Sequence, residues 1–424
     1  MTLIKTSLLN GVAVIVKMLT LLGINKVLAI YVGPAGYAAL GQFQSAMQMI
    51  TTFASGAINT GVVKYTAEYH GDADAQHRVW RTAGTIAFTG SIFSAVVLLI
   101  FSSELANWFL KDANYAAVFR WFAVTLIFFV FNTLMLAILN GKKDVRRYVL
   151  ANIAGSVISL IVTSIMSVVM GLLGALTALA VYQSFSFVTT LFLLSRTSWF
   201  HWRLLIGPVD WRIAINLGKY TAMALTSAAC VPLSHILVRN HLGEVLGWEY
   251  AGYWEAIWRL SAANLLLVTT TLGVYFLPRL AELKTALEIK KEINYVYRIV
   301  FPVVVVGVTF IYVLRDFVVH VLFSPDFYPM RELFAWQLTG DALRIGSWIV
   351  SYVMLSKAMF KQFMCTEIIF AASFYGLTVV FTNWFGMQGV VMAYAVNYLV
   401  YWLVVYFIVY RKLAAGKSVP VPQG

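Results

Sequence analysis

The chain is 424 residues long, 61% hydrophobic and only 12% charged, with a mean hydropathy of +0.80 and a formal net charge of +13. This excludes a water-soluble globule, in which apolar residues make up about 45–50% and charged ones about 25%. It also makes the positive charge a membrane matter and not a nucleic-acid footprint, because Lys and Arg gather in the connections between apolar stretches.

Apolar stretches of about 20 residues recur from end to end, the length an α-helix needs to cross a bilayer with its backbone groups satisfied. The first is expected over 5–31, where Lys17 and Asn25-Lys26 interrupt the apolar run and no small-residue cleavage site follows. It therefore reads as a retained span and not as a removable signal peptide. Lys17 shares a face with Asn10, whereas Lys26 lies about 180° away on an ideal helix, so the two do not line one straight wall. Lys17 is the better cavity candidate, and Lys26 snorkels outward unless the helix bends at Gly23.

The second span is expected over 37–66 as one helix. On it Gln44, Gln48, Thr51, Ser55 and Asn59 fall within about 80° of one another, a polar stripe along the whole helix. The stripe reads as a cavity wall or as polar glue between packed helices. Lys64 marks its basic exit. Spans over 80–101, 116–139, 148–170 and 173–195 complete a first group of six. The connection 196–212 carries Arg196, Trp199, His201, Trp202 and Arg203, aromatic and basic residues suited to the membrane interface. The lobe boundary is placed there, giving an N-terminal six-helix lobe, 1–205, and a C-terminal one, 206–424.

In the seventh span, 213–238, Pro232 predicts a kink, with His235 and Arg239 towards its outer end. His235 reads as a packing residue or a proton relay. In the eighth, 250–277, Glu255 and Arg259 stand at i and i+4, flanked by Trp254 and Trp258. They read as a solvated pair beneath an aromatic belt or as part of a cavity. A span over 295–314 precedes the tenth, 332–356, where Gln337, Asp341, Arg344 and Trp348 share one face. Asp341 and Arg344 are close enough to pair, as a permanent ion pair or as a protonatable carboxylate whose arginine exchanges it for an anionic substrate. Spans over 362–384 and 388–410 close the chain, with Glu367 nearer the inner surface. The expected fold class is thus all-α and polytopic, with about twelve transmembrane helices.

The second half echoes the first about 215 residues on. Gly171, Gly174 and Ala180-Val181 answer Gly386, Gly389 and Ala395-Val396; Val79-Trp80-Arg81 answers Val296-Tyr297-Arg298; Gly36-Tyr37 answers Gly252-Tyr253; Lys64 answers Arg279. Duplicated halves of this kind are what transporters use to alternate between two openings. Placing the N-terminus inside puts most basic residues, among them Lys142, Lys143, Arg146, Arg147, Lys290, Lys291, Arg411 and Lys412, on the cytoplasmic side. Lys111, Arg120, Arg239, Arg259, Arg315 and Arg331 remain outside, so both termini are expected in the cytoplasm.

Cys230 and Cys365 are too few for a disulfide framework or a metal site, and no cofactor is expected. More buried cations than anions favour an anionic ligand. Guanidinium and ammonium groups suit phosphate, and amides and tryptophans suit sugars.

Gly33-Pro34-Ala35-Gly36, Lys64-Tyr65 with Ala67 and Tyr69, and Leu333-Phe334-Ala335-Trp336-Gln337-Leu338 followed by Gly340-Asp341 resemble the Wzx-type flippases of bacterial polysaccharide assembly. The resemblance is closest to the lipid III and O-antigen subgroup and covers essentially the whole chain. It implies a two-lobed, V-shaped fold of the multidrug/oligosaccharidyl-lipid/polysaccharide (MOP) exporter superfamily, like that of the multidrug (MATE) transporters, in the bacterial inner membrane. It also implies movement of undecaprenyl-pyrophosphate-linked oligosaccharide repeat units from the cytoplasmic to the periplasmic leaflet. A polysaccharide polymerase and a chain-length regulator are the partners it suggests.

On the joint reading Lys17, Arg259 and Arg344 take the anion, Gln44, Gln48 and Asn59 make glycan or gating contacts, and Asp341 couples transport to H+ or Na+. Lys26, Lys64, Glu255 and Gln337 are further cavity candidates. The alternatives are a multidrug exporter of the same superfamily, disfavoured by a cationic cavity, and a membrane polymerase or ligase, which calls for an external catalytic loop.

Overall fold

The computed structural model describes residues 3–283, 285–357 and 359–414, and among them there are helices, turns and coil but no strand. The helices are α1 (Leu3–Tyr31), α2 (Gly33–Ala54), α3 (Asn59–Glu68), α4 (Ala73–Ile100), α5 (Ser102–Leu110), α6 (Ala116–Gly141) and α7 (Val145–Ser195). After the connection come α8 (Trp211–Val245), α9 (Trp248–Thr271), a π-helical turn (Leu272–Phe276) and α10 (Leu277–Glu282). Last are α11 (Ala286–Val313), α12 (Arg315–Leu322), a 3-10 segment (Pro325–Leu333), α13 (Phe334–Ser356), α14 (Phe360–Phe385) and α15 (Gln388–Ala414).

Local chemistry sets several of the starts. Asp72 and Asp144 cap α4 and α7 by accepting from the backbone N–H of Ala75 and Arg147, and Thr285 with Glu288 forms a reciprocal capping box on α11. The 51-residue α7 is two helices joined at Gly171, whose φ of 56° and ψ of −132° suit glycine alone. Among the described residues, seven helices, α7 among them, are long and apolar enough to cross a bilayer. The expected crossings outside that set are α2, α8, α9 and α13, which carry Gln44 and Gln48, Arg239, Glu255 and Arg259, and Asp341 and Arg344.

The second span departs from expectation. The helix stops at Ser55, Gly56 and Ala57 take positive φ (62° and 52°), and Asn59 opens a separate helix. Hence Gln44, Gln48 and Thr51 share α2, and the stripe does not run on to Asn59. The π-helical turn interrupts the corresponding place between α9 and α10.

By contact the chain forms two compact units, Met1–Val32 with Ala39–Pro232, and Gly33–Ala38 with Leu233–Gly424. The sequence reading drew its boundary at 205/206, and the contact division falls at Pro232 inside α8 and passes Gly33–Ala38 to the second unit. The connection after α7 is fastened to α4 within the first unit. Thr85 Oγ1 donates to the Gly207 carbonyl (2.8 Å), the Asp210 N–H donates to Thr82 Oγ1 (3.1 Å), and a Cβ on Gly84 would sit 1.6 Å from the Leu205 carbonyl oxygen. The first unit packs Phe43 edge-on against Phe119 (5.3 Å) and Phe122 (6.0 Å). The second centres on Leu272, Phe276, Ile293, Ile345, Ile349 and Val405.

The repeat persists in the backbone. Gly386 has φ 58° and ψ −136°, matching Gly171. A Cβ on Gly174 would lie 1.8 Å from the Met166 carbonyl oxygen, and one on Gly389 would lie 2.3 Å from that of Phe381. Lys142 and Lys357 end α6 and α13 at equivalent positions.

Candidate substrate and coupling site

The second unit holds a buried charged cluster built on α8, α9, α13 and α15. Glu255 on α9 accepts from Arg239 on α8 (2.8 Å, Oε2) and from Arg259 one turn along α9 (2.8 Å, Oε1). Glu255 and Arg239 are only 3% and 2% exposed, so this is a desolvated triad and not a solvated pair beneath an aromatic belt. One carboxylate between two guanidiniums leaves a net positive charge. Trp254 and Tyr37 supply ring faces to Arg239 (5.6 Å) and Arg259 (5.4 Å).

Asp341 on α13 is fully buried. Its Oδ2 accepts from Ser261 Oγ (2.6 Å), and its Oδ1 from Tyr394 OH (2.9 Å) and, more weakly, Gln337 Nε2 (3.5 Å). Gln337 also donates to Ser261 (3.1 Å). Arg344 does not pair with Asp341 directly, although the i, i+3 spacing suggested it. Its Nη1 donates to Tyr394 OH (3.3 Å), which in turn donates to the carboxylate, so the tyrosine hydroxyl joins the two charges. The guanidinium is displaced because three rings hold it, those of Trp348 (4.5 Å), Trp258 (5.1 Å) and Tyr398 (5.3 Å). Its buried Nε and the Gln337 Oε1 make no hydrogen bond. A buried guanidinium with an unused donor is equipped to take an anion's oxygen. His235 lies edge-on to Trp258 (4.3 Å), a packing role.

The first-unit candidates are dispersed. Lys17 lines a cavity of about 190 Å³ with polar residues of α1, α6 and α7, and Lys26 is not among its walls. Gln44 and Gln48 are exposed on α2. Asn59 donates weakly to Thr133 Oγ1 on α6 (3.5 Å). Lys64, in the middle of α3, sits near Glu68 (4.0 Å) and over the Tyr65 ring (5.1 Å). Past the helix ends, Lys142 donates to Gln76 Oε1 (2.9 Å) and Lys357 to the Leu283 carbonyl (2.6 Å), and burial lowers the pKa of both ammonium groups.

The polysaccharide biosynthesis protein family matches residues 3–284. The chain belongs to that family. It is 29% identical over 405 residues to the lipid III flippases of Escherichia coli (strain K12) and Shigella flexneri, covering 95% of this chain and 96% of theirs. Among solved structures it is similar to a multidrug resistance MATE family transporter of the MOP superfamily in its inward-facing conformation (TM-score 0.77, 16% identity, 94% of each chain). It is also similar to a MOP superfamily transporter from Pyrococcus furiosus whose binding pocket is described as reversed in polarity (TM-score 0.63, 16% identity, 95% of this chain and 96% of that one). The structural likenesses carry the fold. Together these findings bear out the resemblance to Wzx-type flippases and the all-α fold expected from the sequence, a fold like that of the solved MOP superfamily transporters.

For this family member, reading the sequence missed Ser261, Tyr394 and Tyr398, and it placed Arg239 outside the cluster. A signal was present. Shifted by 215, Gln337, Asp341, Arg344 and Tyr394 fall opposite Phe122, Leu126, Phe129 and Leu179, so polar residues break the repeat where the site lies.

Proposed function

We propose that the protein is a flippase that moves undecaprenyl-pyrophosphate-linked oligosaccharide repeat units from the cytoplasmic to the periplasmic leaflet of the bacterial inner membrane. The observation that carries this reading is the buried cluster in which Arg239, Arg259 and Arg344 outnumber Glu255 and Asp341. Charged side chains at membrane depth are costly, roughly 2.5–3.5 kcal/mol each on insertion scales, and mark the path of a charged substrate or ion. Planar guanidiniums suit pyrophosphate oxygens, and the whole-length similarity to lipid III flippases supports a lipid-linked glycan as the cargo. The glycan belongs to an O-antigen or a related surface polysaccharide such as enterobacterial-type common antigen, and the protein works beside a polymerase and a chain-length regulator with both termini in the cytoplasm.

Transport proceeds by alternating access and is coupled to an H+ or Na+ gradient at Asp341. Three donors converge on this carboxylate, and Tyr394 links it to Arg344, so a cation arriving at Asp341 changes what holds the arginine. Asp341→Asn is expected to abolish the gradient dependence of transport while leaving the protein folded. Transport that responds to the gradient as in the wild type would remove the coupling role.

The test of the whole reading is reconstitution in proteoliposomes with a polyprenyl-pyrophosphate oligosaccharide, scoring leaflet exposure of the sugar with an impermeant lectin or glycosidase. Protein-dependent exposure of chemically unchanged substrate is the expected result. Exposure no greater than in protein-free liposomes, with folding confirmed, would overturn it.

A further inference from the structure

The first unit carries an apolar groove of about 520 Å³ where α6 meets the two halves of α7. Trp121 on α6, Val162 in the first half of α7, and Val181, Ser184 and Phe185 in its second half stand around it. The exposed rings of Trp121 and Phe185 mark its open side. Two hydroxyls of the wall are turned into the backbone: Thr125 Oγ1 donates to the Ala180 carbonyl (2.7 Å) and Thr177 Oγ1 to the Leu173 carbonyl (2.8 Å). The first of these occupies the acceptor one turn back from Ser184, the one a helical serine ordinarily uses. Ser184 Oγ is left buried with no hydrogen-bond partner. Buried hydroxyls are nearly always satisfied, so this one marks a place for an acceptor brought from outside the chain. Inside hydrocarbon the acceptor within reach is a π bond, which takes a weak hydrogen bond.

The groove continues a wall that is polar at its other end. Trp121 and Thr125 precede Asn132 and Leu136 of the Lys17 cavity by about three helical turns, which puts both pairs on one face of α6 about 16 Å apart at 1.5 Å per residue. That distance is about half of a 30 Å hydrocarbon core, so cavity and groove belong to opposite halves of the membrane. A phospholipid with its polar end on the cavity side has acyl chains that stop near the midplane. A polyprenyl chain of undecaprenyl length runs past it, fills a broad groove with its methyl branches, and brings a double bond in every isoprene unit. Phospholipids of the nearer leaflet also reach the groove, but a saturated chain offers Ser184 nothing.

We infer that this groove binds the polyprenyl chain of the cargo, with the Ser184 hydroxyl donating to the π bond of an isoprene unit. The inference rests on the reading that the cargo is polyprenyl-linked, and it makes the lipid tail a recognised part of that cargo. The groove then tells an isoprenoid from the acyl chains of the surrounding membrane.

The test uses purified full-length protein in nanodiscs of saturated phosphatidylethanolamine and phosphatidylglycerol, where no translocation is required. The photoreactive residue p-benzoylphenylalanine replaces Phe185 at the groove or, as a control on the exposed face of α4, Phe93. Undecaprenyl pyrophosphate and its fully saturated counterpart are compared at the same low mole fraction, with adducts scored by mass spectrometry after irradiation. Undecaprenyl adducts at position 185 are expected to exceed those at 93 several-fold, and those of the saturated chain to fall well below them. Ser184→Ala should erase the difference between the two chains. Val162→Phe, which fills the groove from one wall, or Val181→Phe from the other, should lower undecaprenyl adducts at 185 to the level at 93, with thermal melts confirming folding. Equal undecaprenyl yields at the two positions, equal yields from the two chains at 185, or phospholipid adducts enriched at 185 in their place would each overturn the inference. Glycan exposure in proteoliposomes, scored in parallel, keeps the two readings apart: exposure without enrichment sinks this site alone, and enrichment without exposure sinks flipping alone.

Discussion

The two repeats share a backbone and differ in what they bury. Gly171 and Gly386 take nearly the same dihedrals, yet Phe122 and Leu126 fill fully buried positions of α6 where Gln337 and Asp341 occupy α13. On α2, Ala39 and Phe43 stand where α9 has Glu255 and Arg259. Phe43 packs on Phe119 and Phe122, so the first unit is closed there by aromatic contact, and the second is held by charge and hydrogen bonds. Duplication thus supplied one scaffold with two interiors: an apolar brace, and a desolvated charged cluster that packing alone does not require.

The strongest way to break this comparison is to take away the shared carboxylate. Glu255→Ala leaves Arg239 and Arg259 buried beside each other without their counter-charge, and removing one partner of a buried pair costs about 3–5 kcal/mol. A large drop in thermal stability in detergent and loss of glycan exposure are expected. Stability within a degree or two of wild type would mean the triad is more hydrated than its burial implies.

Exchanging residues between the repeats tests whether the interiors are interchangeable. Leu126→Asp buries a carboxylate among Phe122, Phe129 and their neighbours, without the donors that Ser261, Tyr394 and Gln337 give Asp341. A loss of several kcal/mol or failure to fold is expected. Asp341→Leu removes the carboxylate and leaves its donors unmatched, at roughly 1–3 kcal/mol. It should fold and fail in coupling. Equal melting temperatures for the two variants would show that the repeats tolerate charge alike.

How much of this was legible follows from which physics each feature obeys. The crossings, the duplication and the glycine echo could be read because hydropathy and backbone geometry are local and recur at a fixed spacing. Glu255, Arg259, Gln337, Asp341 and Arg344 could be picked out because ionisable groups at membrane depth are rare. Tyr394 as the link between Asp341 and Arg344 could not be read from α13 alone, since it lies 53 residues from the carboxylate along the chain and its role depends on how α15 packs. The break after α2 was hidden by polar residues whose spacing continues smoothly across it, although Gly56 stands at the point where the chain turns.

The shared scaffold offers a paired test of smaller size. Gly174→Ala and Gly389→Ala each drive a methyl group into a carbonyl oxygen, of Met166 and Phe381, and overpacking of this kind costs about 1–3 kcal/mol. Because each methyl meets a backbone carbonyl at under 2.5 Å, the two melting temperatures should fall by similar amounts, unlike those of the Leu126→Asp and Asp341→Leu pair. A loss confined to one repeat would mean that the symmetry of the backbone does not extend to its energetics.

The smallest effect is expected where the repeats agree in residue and differ in partner. Lys142 and Lys357 both close their helices at the same position, but Lys142 rests on the Trp199 and Trp80 rings (5.1 and 5.8 Å), whereas Lys357 donates to a backbone carbonyl. Trp199 belongs to the connection after α7, so its ring face fastens that connection to the end of α6. Replacing it in Trp199→Leu keeps apolar bulk and removes the quadrupole, a loss of roughly 0.5–1 kcal/mol. Proteolytic susceptibility of 196–212 is the sensitive readout, because the connection keeps its hydrogen bonds to Thr82 and Thr85 and should loosen only locally. Faster cleavage there with an unchanged global melt is the expected pattern. Cleavage unchanged from wild type would assign the anchoring of the connection to the threonines alone, leaving Lys142 to its hydrogen bond with Gln76.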